Sequence, residues 1–258
     1  MSSPKPASSP KPVLVTGASR GLGRTTALTL AKAGFDVVIT YQTQQAAAAA
    51  VVHDIERLGR KARALQLDTG DIGSFSAFEP ALHRELSQMG HPRLFGLVNN
   101  AGIGLDAPFE NTSEELFDQL FNIHFKGVFF LTQKLLPLIA DGGRIVNISS
   151  GLARAALPGY SVYACAKAAT EVLTRFLAKE LGGRKIDVNV VAPGGLETDF
   201  GGGALRDIPE VKAFIASQTA LGRTGVPEDV SPVIAALFAD SHRWVTGQKI
   251  DASGGWYL

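Results

Sequence analysis

Cysteine occurs once in the 258 residues, at Cys165. A lone thiol closes no internal disulfide, so nothing in the chain calls for an oxidising compartment. Charge of one sign is not in excess: 25 Lys and Arg face 24 Asp and Glu, a formal net charge of +1. That balance leaves no broad basic field for nucleic acid or an anionic membrane. No apolar run reaches the length that crosses a bilayer. The five histidines, at 53, 83, 91, 124 and 242, lie far apart without metal-ligand spacing, so no metal site is expected. Residues 1–12 hold four prolines and four serines and lack the apolar core of a signal peptide. They read as a disordered tail, and the cytoplasm is the expected location. Residues 13–258 read as a single domain.

Within that domain, short β-branched runs alternate with longer helical patterns. The runs at 13–16, 37–41, 64–67, 96–99, 144–148, 187–191 and 248–251 read as strands. Several are nearly unbroken apolar runs, as suits strands covered on both faces. Helical patterns lie between them at 22–33, 44–58, 74–86, 114–139, 160–181 and 228–238. Thr112 or Ser113 serves as N-cap of the fourth, with Glu114 and Glu115 in its first turn. This alternation implies right-handed crossovers and an α/β, doubly wound (Rossmann) three-layer fold around a parallel sheet of about seven strands. The stretch 200–216 reads as a mobile loop with a short helix.

Residues 16–23 spell TGASRGLG, between the first strand and the first helix. Gly17, Gly21 and Gly23 leave room for a pyrophosphate to approach backbone amides, with Ser19, Arg20 and Leu22 completing the turn. The helix N-terminus then favours the negative charge. A merely structural strand-to-helix turn is the alternative. The second strand ends in Thr40-Tyr41-Gln42, with no acid to hold a ribose 2′-hydroxyl or repel a 2′-phosphate. With Arg20 in the turn, NADP(H) is the expected cofactor. The other reading leaves Arg20 solvated and both NADP(H) and NAD(H) usable.

Tyr163 and Lys167 stand at i and i+4 and share one helix face. An ammonium beside a phenol favours the phenolate, lowering its pKa from about 10 and making it a usable general acid or base. A surface pair on an amphipathic helix is the competing reading. Ser149 and Ser150 follow the fifth strand run, where side chains point into the ligand crevice of a parallel sheet. Either could hold a substrate oxygen beside the phenol, or cap a helix.

With turn, strand end and helix in this order, the chain resembles the short-chain dehydrogenase/reductase family over about 13–255, and its 3-oxoacyl-carrier-protein reductases in particular. The resemblance implies that Ser150 polarises a carbonyl, Tyr163 donates the proton, and Lys167 binds the nicotinamide ribose and lowers the tyrosine pKa. It makes Asp68, with Thr69 beside it, the adenine contact. Asn99-Asn100-Ala101-Gly102 becomes the segment under the cofactor. Pro193, Gly194, Leu196 and Thr198 fall in the segment near carboxamide and phosphates. It also implies pairing of helices 114–139 and 160–181 between subunits, as a homodimer or homotetramer. One position departs from the family: His124 stands where the catalytic asparagine would fall. A histidine there can hydrogen-bond water and exchange a proton near neutral pH, so His124 is expected to complete the proton relay. A purely structural histidine is the alternative.

The implied activity is hydride transfer between nicotinamide and a ketone or secondary alcohol, acting on CH–OH groups. The substrate is expected to contact the loop 151–159 and the segment 200–216, and Leu152, Ala153, Ala155, Ala156 and Leu157 make the first of these walls mostly apolar. A 3-oxoacyl thioester is one candidate substrate, for which Arg154 and Arg206 are the only docking cations. A dehydrogenase working towards oxidation is a second reading, and a weakly active cofactor-binding sensor or scaffold a third. Cys165 is expected to be a packed helix residue. Trp256 and Tyr257 either cover a neighbouring active site or cap the fold.

Overall fold

The computed structural model describes residues 10–258. Seven strands form one parallel sheet: β1 (Pro12–Val15), β2 (Asp36–Tyr41), β3 (Ala62–Gln66), β4 (Leu94–Asn99), β5 (Ile139–Ile148), β6 (Asp187–Pro193) and β7 (Lys249–Ala252), in the order β3-β2-β1-β4-β5-β6-β7. The connecting helices are α1 (Gly21–Lys32), α2 (Gln45–Arg57), α3 (Phe75–Gln88), α4 (Glu114–Phe121), α5 (Gly127–Leu135), α6 (Ser161–Leu181), α7 (Ala204–Asp207), α8 (Pro209–Ser217) and α9 (Pro227–Ala236). The doubly wound α/β expectation therefore holds.

Strand periodicity sorts the core into two layers. Val13, Val15, Val37 and Ile39 face α1, α2 and α9, where Leu30, Ile55 and Ile234 join them in one core cluster. Leu14, Val38, Leu97 and Ile145 point the other way, onto Leu82 and Leu86 of α3 and Leu131 and Leu135 of α5. Strands buried on both faces need apolar residues at every position, which is why the runs lack polar alternation. The strand order reverses between β1 and β4, and a parallel sheet opens its ligand crevice at the carboxyl ends there.

Several boundaries differ from the sequence reading. The helix expected over 114–139 is interrupted by a π turn (Asn122–Lys126) and ends at Leu135. Pro137 disfavours helix at the residue before it, and Ile139 instead pairs with Leu94 as the start of β5. The stretch 200–216 is largely helical, with a 3-10 turn (Phe200–Gly203) followed by α7 and α8. Cys165 is exposed on α6 rather than packed. The expected tail covers 1–12, of which 1–9 lie outside the described residues. Lys11 reaches Asp240 at 3.7 Å and lies over the Phe95 ring at 4.3 Å, and Pro12 already belongs to β1. Among the described residues no helix is long and apolar enough to cross a membrane, and no cluster of ligating side chains could hold a metal ion.

Candidate active site

Segments at the carboxyl ends of β1, β4, β5 and β6 converge around a cleft of about 570 Å³. Ser149 and Ser150 leave the end of β5 in different directions. The Ser149 hydroxyl turns away and donates to Glu171 at 2.7 Å, which in turn pairs with Lys249 at 3.0 Å. The Ser150 hydroxyl accepts from the Leu152 amide at 3.2 Å and interacts with the Tyr163 phenol. Ser150 is therefore the serine that faces the phenol, and both line the cleft with Lys167.

Tyr163 and Lys167 are both buried on α6. The Lys167 ammonium donates to the carbonyl of Ile148 at 2.7 Å and lies 5.8 Å from the Tyr163 ring centroid. Burial disfavours the charged form of each group. It pushes Tyr163 up to about 12, against a smaller opposing pull from Ser150. It brings Lys167 down to about 7. The expected lowering of the phenol by the ammonium is thus not seen in this geometry, where desolvation dominates.

His124 lies in the π turn, fully buried, with its ring edge-on to Tyr163 at 4.9 Å between centroids. Its Nε2 lies 2.8 Å from the Ile103 carbonyl oxygen and 3.3 Å from the Ile103 amide; the shorter contact needs a proton between two acceptors, so we assign the proton to Nε2 as donor to that carbonyl. Nδ1 is then a lone-pair acceptor, buried and without a partner among the described residues. Burial, then the nearby Lys167 charge, holds the imidazole well below its usual range. It stays neutral, so the expected proton exchange near neutral pH does not hold for the ring itself. The turn is pinned from both sides. Thr170 donates to the His124 carbonyl at 2.9 Å. Gly127 lies so close to the Thr69 carbonyl that a Cβ would fall 2.0 Å from it.

The dinucleotide candidates line the other end of the cleft. Gly17, Ser19, Arg20, Gly21, Leu22 and Gly23 form one wall, with Tyr41, Gln42, Asp68 and Thr69 beyond them. Asn100, Ala101 and Gly102 form the floor, and Pro193, Gly194, Leu196 and Thr198 the opposite wall. Gly17 has φ +64°, and a Cβ there would lie 2.8 Å from the Ala101 Cα, so only glycine fits. Thr16 accepts from the amides of Asn100 and Ala101, while the Asn100 amide group donates back to the Thr16 carbonyl at 2.8 Å. No side chain caps α1 and no acid sits in its first turn, leaving its first amides for an anion. Asp68 accepts from Gly70 and from Gln42, each at 2.8 Å. Arg20 is exposed and lies 3.6 Å from Asp199. A glycine cradle, free helix amides and a cation without an opposing acid on β2 fit a phosphorylated dinucleotide.

The outer wall comes from the segment 200–216, which the sequence named as a substrate contact, though not by its individual side chains. Phe200 tilts over the Tyr163 ring at 5.8 Å, and Leu205, Val211 and Ile215 extend that surface from the segment after β6. Trp256 lines the cleft of its own chain, tied by Thr219 and by Arg154, which donates to its carbonyl at 2.8 Å. Its indole N–H is buried without a partner among the described residues. Neither expectation for Trp256 describes this placement. The apolar periodicity of 209–217 was the available signal for the helix wall.

Comparison with known proteins agrees with this geometry. A family model described as enoyl-(acyl carrier protein) reductase matches residues 17–257. The chain is 40% identical to an uncharacterised oxidoreductase of Methylorubrum extorquens, over 95% of this chain and 97% of that one. It is 35% identical to the tetrahydroxynaphthalene reductase PfmaG of Pestalotiopsis fici, over 95% and 91%. The crystal structure of the angucycline C-6 ketoreductase LanV with bound NADP superposes with a TM-score of 0.91 at 39% identity, covering 96% of each chain. With the glycine turn, the serine, the tyrosine and the lysine assembled in one cleft, the chain belongs to the short-chain dehydrogenase/reductase family.

Proposed function

We propose that the protein is an NADP(H)-dependent carbonyl reductase that takes hydrophobic, ring-bearing ketones. The observation that carries this is the buried Tyr163 phenol beside Ser150, in a cleft continuous with the glycine turn. Gly17, the α1 amides and Arg20 would hold the phosphates, and Asn100 and Gly102 would form the floor. When bound, the nicotinamide supplies the hydride. Ser150 and Tyr163 together receive the carbonyl oxygen, and Tyr163 transfers its proton to it. A phenol held up to about 12 is fully protonated at working pH, which favours reduction over oxidation. Lys167, at about 7, is the stronger acid of the two and restores that proton. His124 would accept a hydrogen bond from a relay water through Nδ1, acting as a neutral anchor. A redox-inactive sensor would not need these groups together.

The apolar outer wall supports a flat ketone over a carrier-bound thioester. Arg154 is engaged by the Trp256 carbonyl, and Arg206 is held between Asp199 and Asp207, so neither presents a net positive docking patch to a carrier protein. The relatives that reduce hydroxynaphthalenes and angucyclines point the same way. Phe129, Val172 and Phe176 are exposed on α5 and α6 and support pairing of two copies, as a homodimer or homotetramer. The exposed free thiol of Cys165 suits a cytoplasmic protein.

The test follows NADPH and NADH consumption with 1-tetralone, 2-tetralone and a 3-oxoacyl thioester. Reduction of a tetralone with at least tenfold preference for NADPH in kcat/KM is expected, tenfold being about 1.4 kcal/mol. Faster turnover with NADH, or with the thioester, would overturn the corresponding part.

A further inference from the structure

A run of buried polar side chains links the sheet to the π turn. Asn99, at the end of β4, donates to Thr132 of α5 at 3.0 Å and to Asn147 of β5 at 2.8 Å. Asn147 donates to the Thr174 hydroxyl at 2.9 Å, and Thr174 donates to the Thr170 carbonyl at 2.9 Å. Thr170 carries the run on to the turn. Its hydroxyl donates to the His124 carbonyl at 2.9 Å and lies 3.2 Å from the Ala166 carbonyl. All of these side chains, His124 included, are at most 4% exposed.

Thr170 follows Tyr163 and Lys167 along one face of α6. Among the described residues it is the one side chain that hydrogen-bonds the His124 backbone. The ring of His124 is held at its other end, where Nε2 donates to the Ile103 carbonyl at 2.8 Å. It also packs on Gly102, where a Cβ would lie 2.6 Å from the ring. With backbone and ring tip both tied, the direction of Nδ1 and the edge-on contact with Tyr163 are set together. A buried carbonyl that loses its donor keeps its desolvation cost, so without the Thr170 hydroxyl the turn gains a reason to shift.

We propose that Thr170 is a positioning residue: it donates to the His124 carbonyl from the helix that carries Tyr163 and Lys167, and so sets the His124 ring in register with that pair for proton resupply. This rests on the carbonyl-reductase reading of the cleft and on the neutral anchor role of His124 within it. Thr170 does not line the cleft, so its effect on turnover runs through the histidine.

The experiment compares wild type with Thr170→Val, Thr170→Ser and Thr174→Val. It measures kcat and KM with NADPH and 1- or 2-tetralone, and reads the His124 ring by NMR of protein carrying isotope-labelled histidine. Loss of signals in His124→Ala identifies those of His124. Thr170→Val is expected to lower kcat about 10- to 100-fold with little change in KM, as a small misplacement near the chemistry does. Its His124 Nε2–H signal should shift or vanish by exchange with solvent. Thr170→Ser keeps the hydroxyl and should retain most of kcat and the wild-type signal. Thr174→Val removes an equally buried hydroxyl that does not touch His124, and should lower Tm without a matching loss of kcat. In a His124→Ala background, Thr170→Val should cost no further kcat, because the route runs through the ring.

Wild-type kcat and wild-type His124 signals in Thr170→Val overturn the proposal. So do equal losses of kcat in Thr170→Val and Thr170→Ser, or in Thr170→Val and Thr174→Val. A full Thr170→Val loss in the His124→Ala background overturns it as well. Should Thr170→Val not fold, Thr170→Ala takes its place in each comparison. A wild type that reduces neither tetralone defeats the carbonyl-reductase reading itself, and the His124 signals then decide alone whether Thr170 sets the ring.

Discussion

On the β1–α1 side of the cleft, backbone atoms make the surface. Gly17 touches Ala101, Thr16 and Asn100 exchange hydrogen bonds, and the first amides of α1 face the opening. On the opposite side, side chains make it. Phe200, Leu205, Val211 and Ile215 come from a segment that contains three successive glycines, 201 to 203, all at positive φ. Backbone surfaces recognise what every member of a cofactor class shares, whereas side-chain surfaces are free to vary with the substrate. The glycine turn was readable from sequence residue by residue for that reason, whereas the substrate wall was readable only as the segments 151–159 and 200–216.

Removing the proton donor should have the largest effect. Tyr163→Phe keeps the ring against His124 and Phe200 but deletes the hydroxyl. Ketone reduction should fall about 10²- to 10⁴-fold in kcat/KM. NADPH affinity by fluorescence titration should change little by comparison. Activity surviving this variant would contradict the assignment of Tyr163.

A pair of glycine variants tests the contrast between the walls directly. Gly17→Ala meets both a left-handed backbone and the Ala101 Cα at 2.8 Å. It should lose about 1–3 kcal/mol of stability and weaken NADPH binding severely. Gly202→Ala has φ +71° but nothing within 4 Å. About 1 kcal/mol is expected there, with the NADPH Kd unchanged. Equal effects on NADPH affinity would erase the distinction.

The pH profile reads the proton supply. Lys167 titrates at about 7, so its proton is present below that pH and absent above it. Because reduction consumes a proton, kcat should be flat below pH 7 and decline above it, up to about tenfold per unit. The neutral His124 should add no inflection of its own. His124→Ala should lower kcat and alter this profile. An unchanged kcat and profile would leave the histidine with a structural role only. The smallest effect is expected at the outer wall: Leu205→Ala should raise the ketone KM by a few fold, with cofactor kinetics untouched.

Much of the site was legible because its residues lie in order along the chain at element ends. TGASRGLG follows a strand, Ser149-Ser150 ends another, and Tyr163 and Lys167 share a helix face. Which serine faces the phenol was not legible, because that depends on the exit direction of the chain from β5. The break in the helix at Asn122–Lys126 was hidden too. A π turn needs no special residue along its own length, and here it depends on Gly127 meeting the carbonyl of Thr69, 58 positions away.

By itself, then, the sequence determined the layered parallel sheet, through apolar runs whose period matches burial on both faces. It also determined the chemistry on offer, a phenol one helical turn from an amine and a glycine turn before a helix. Only the tertiary structure decided the protonation balance. Tyr163 and Lys167 come to opposite shifts because folding removes both from water, and desolvation is a property of everything packed around them.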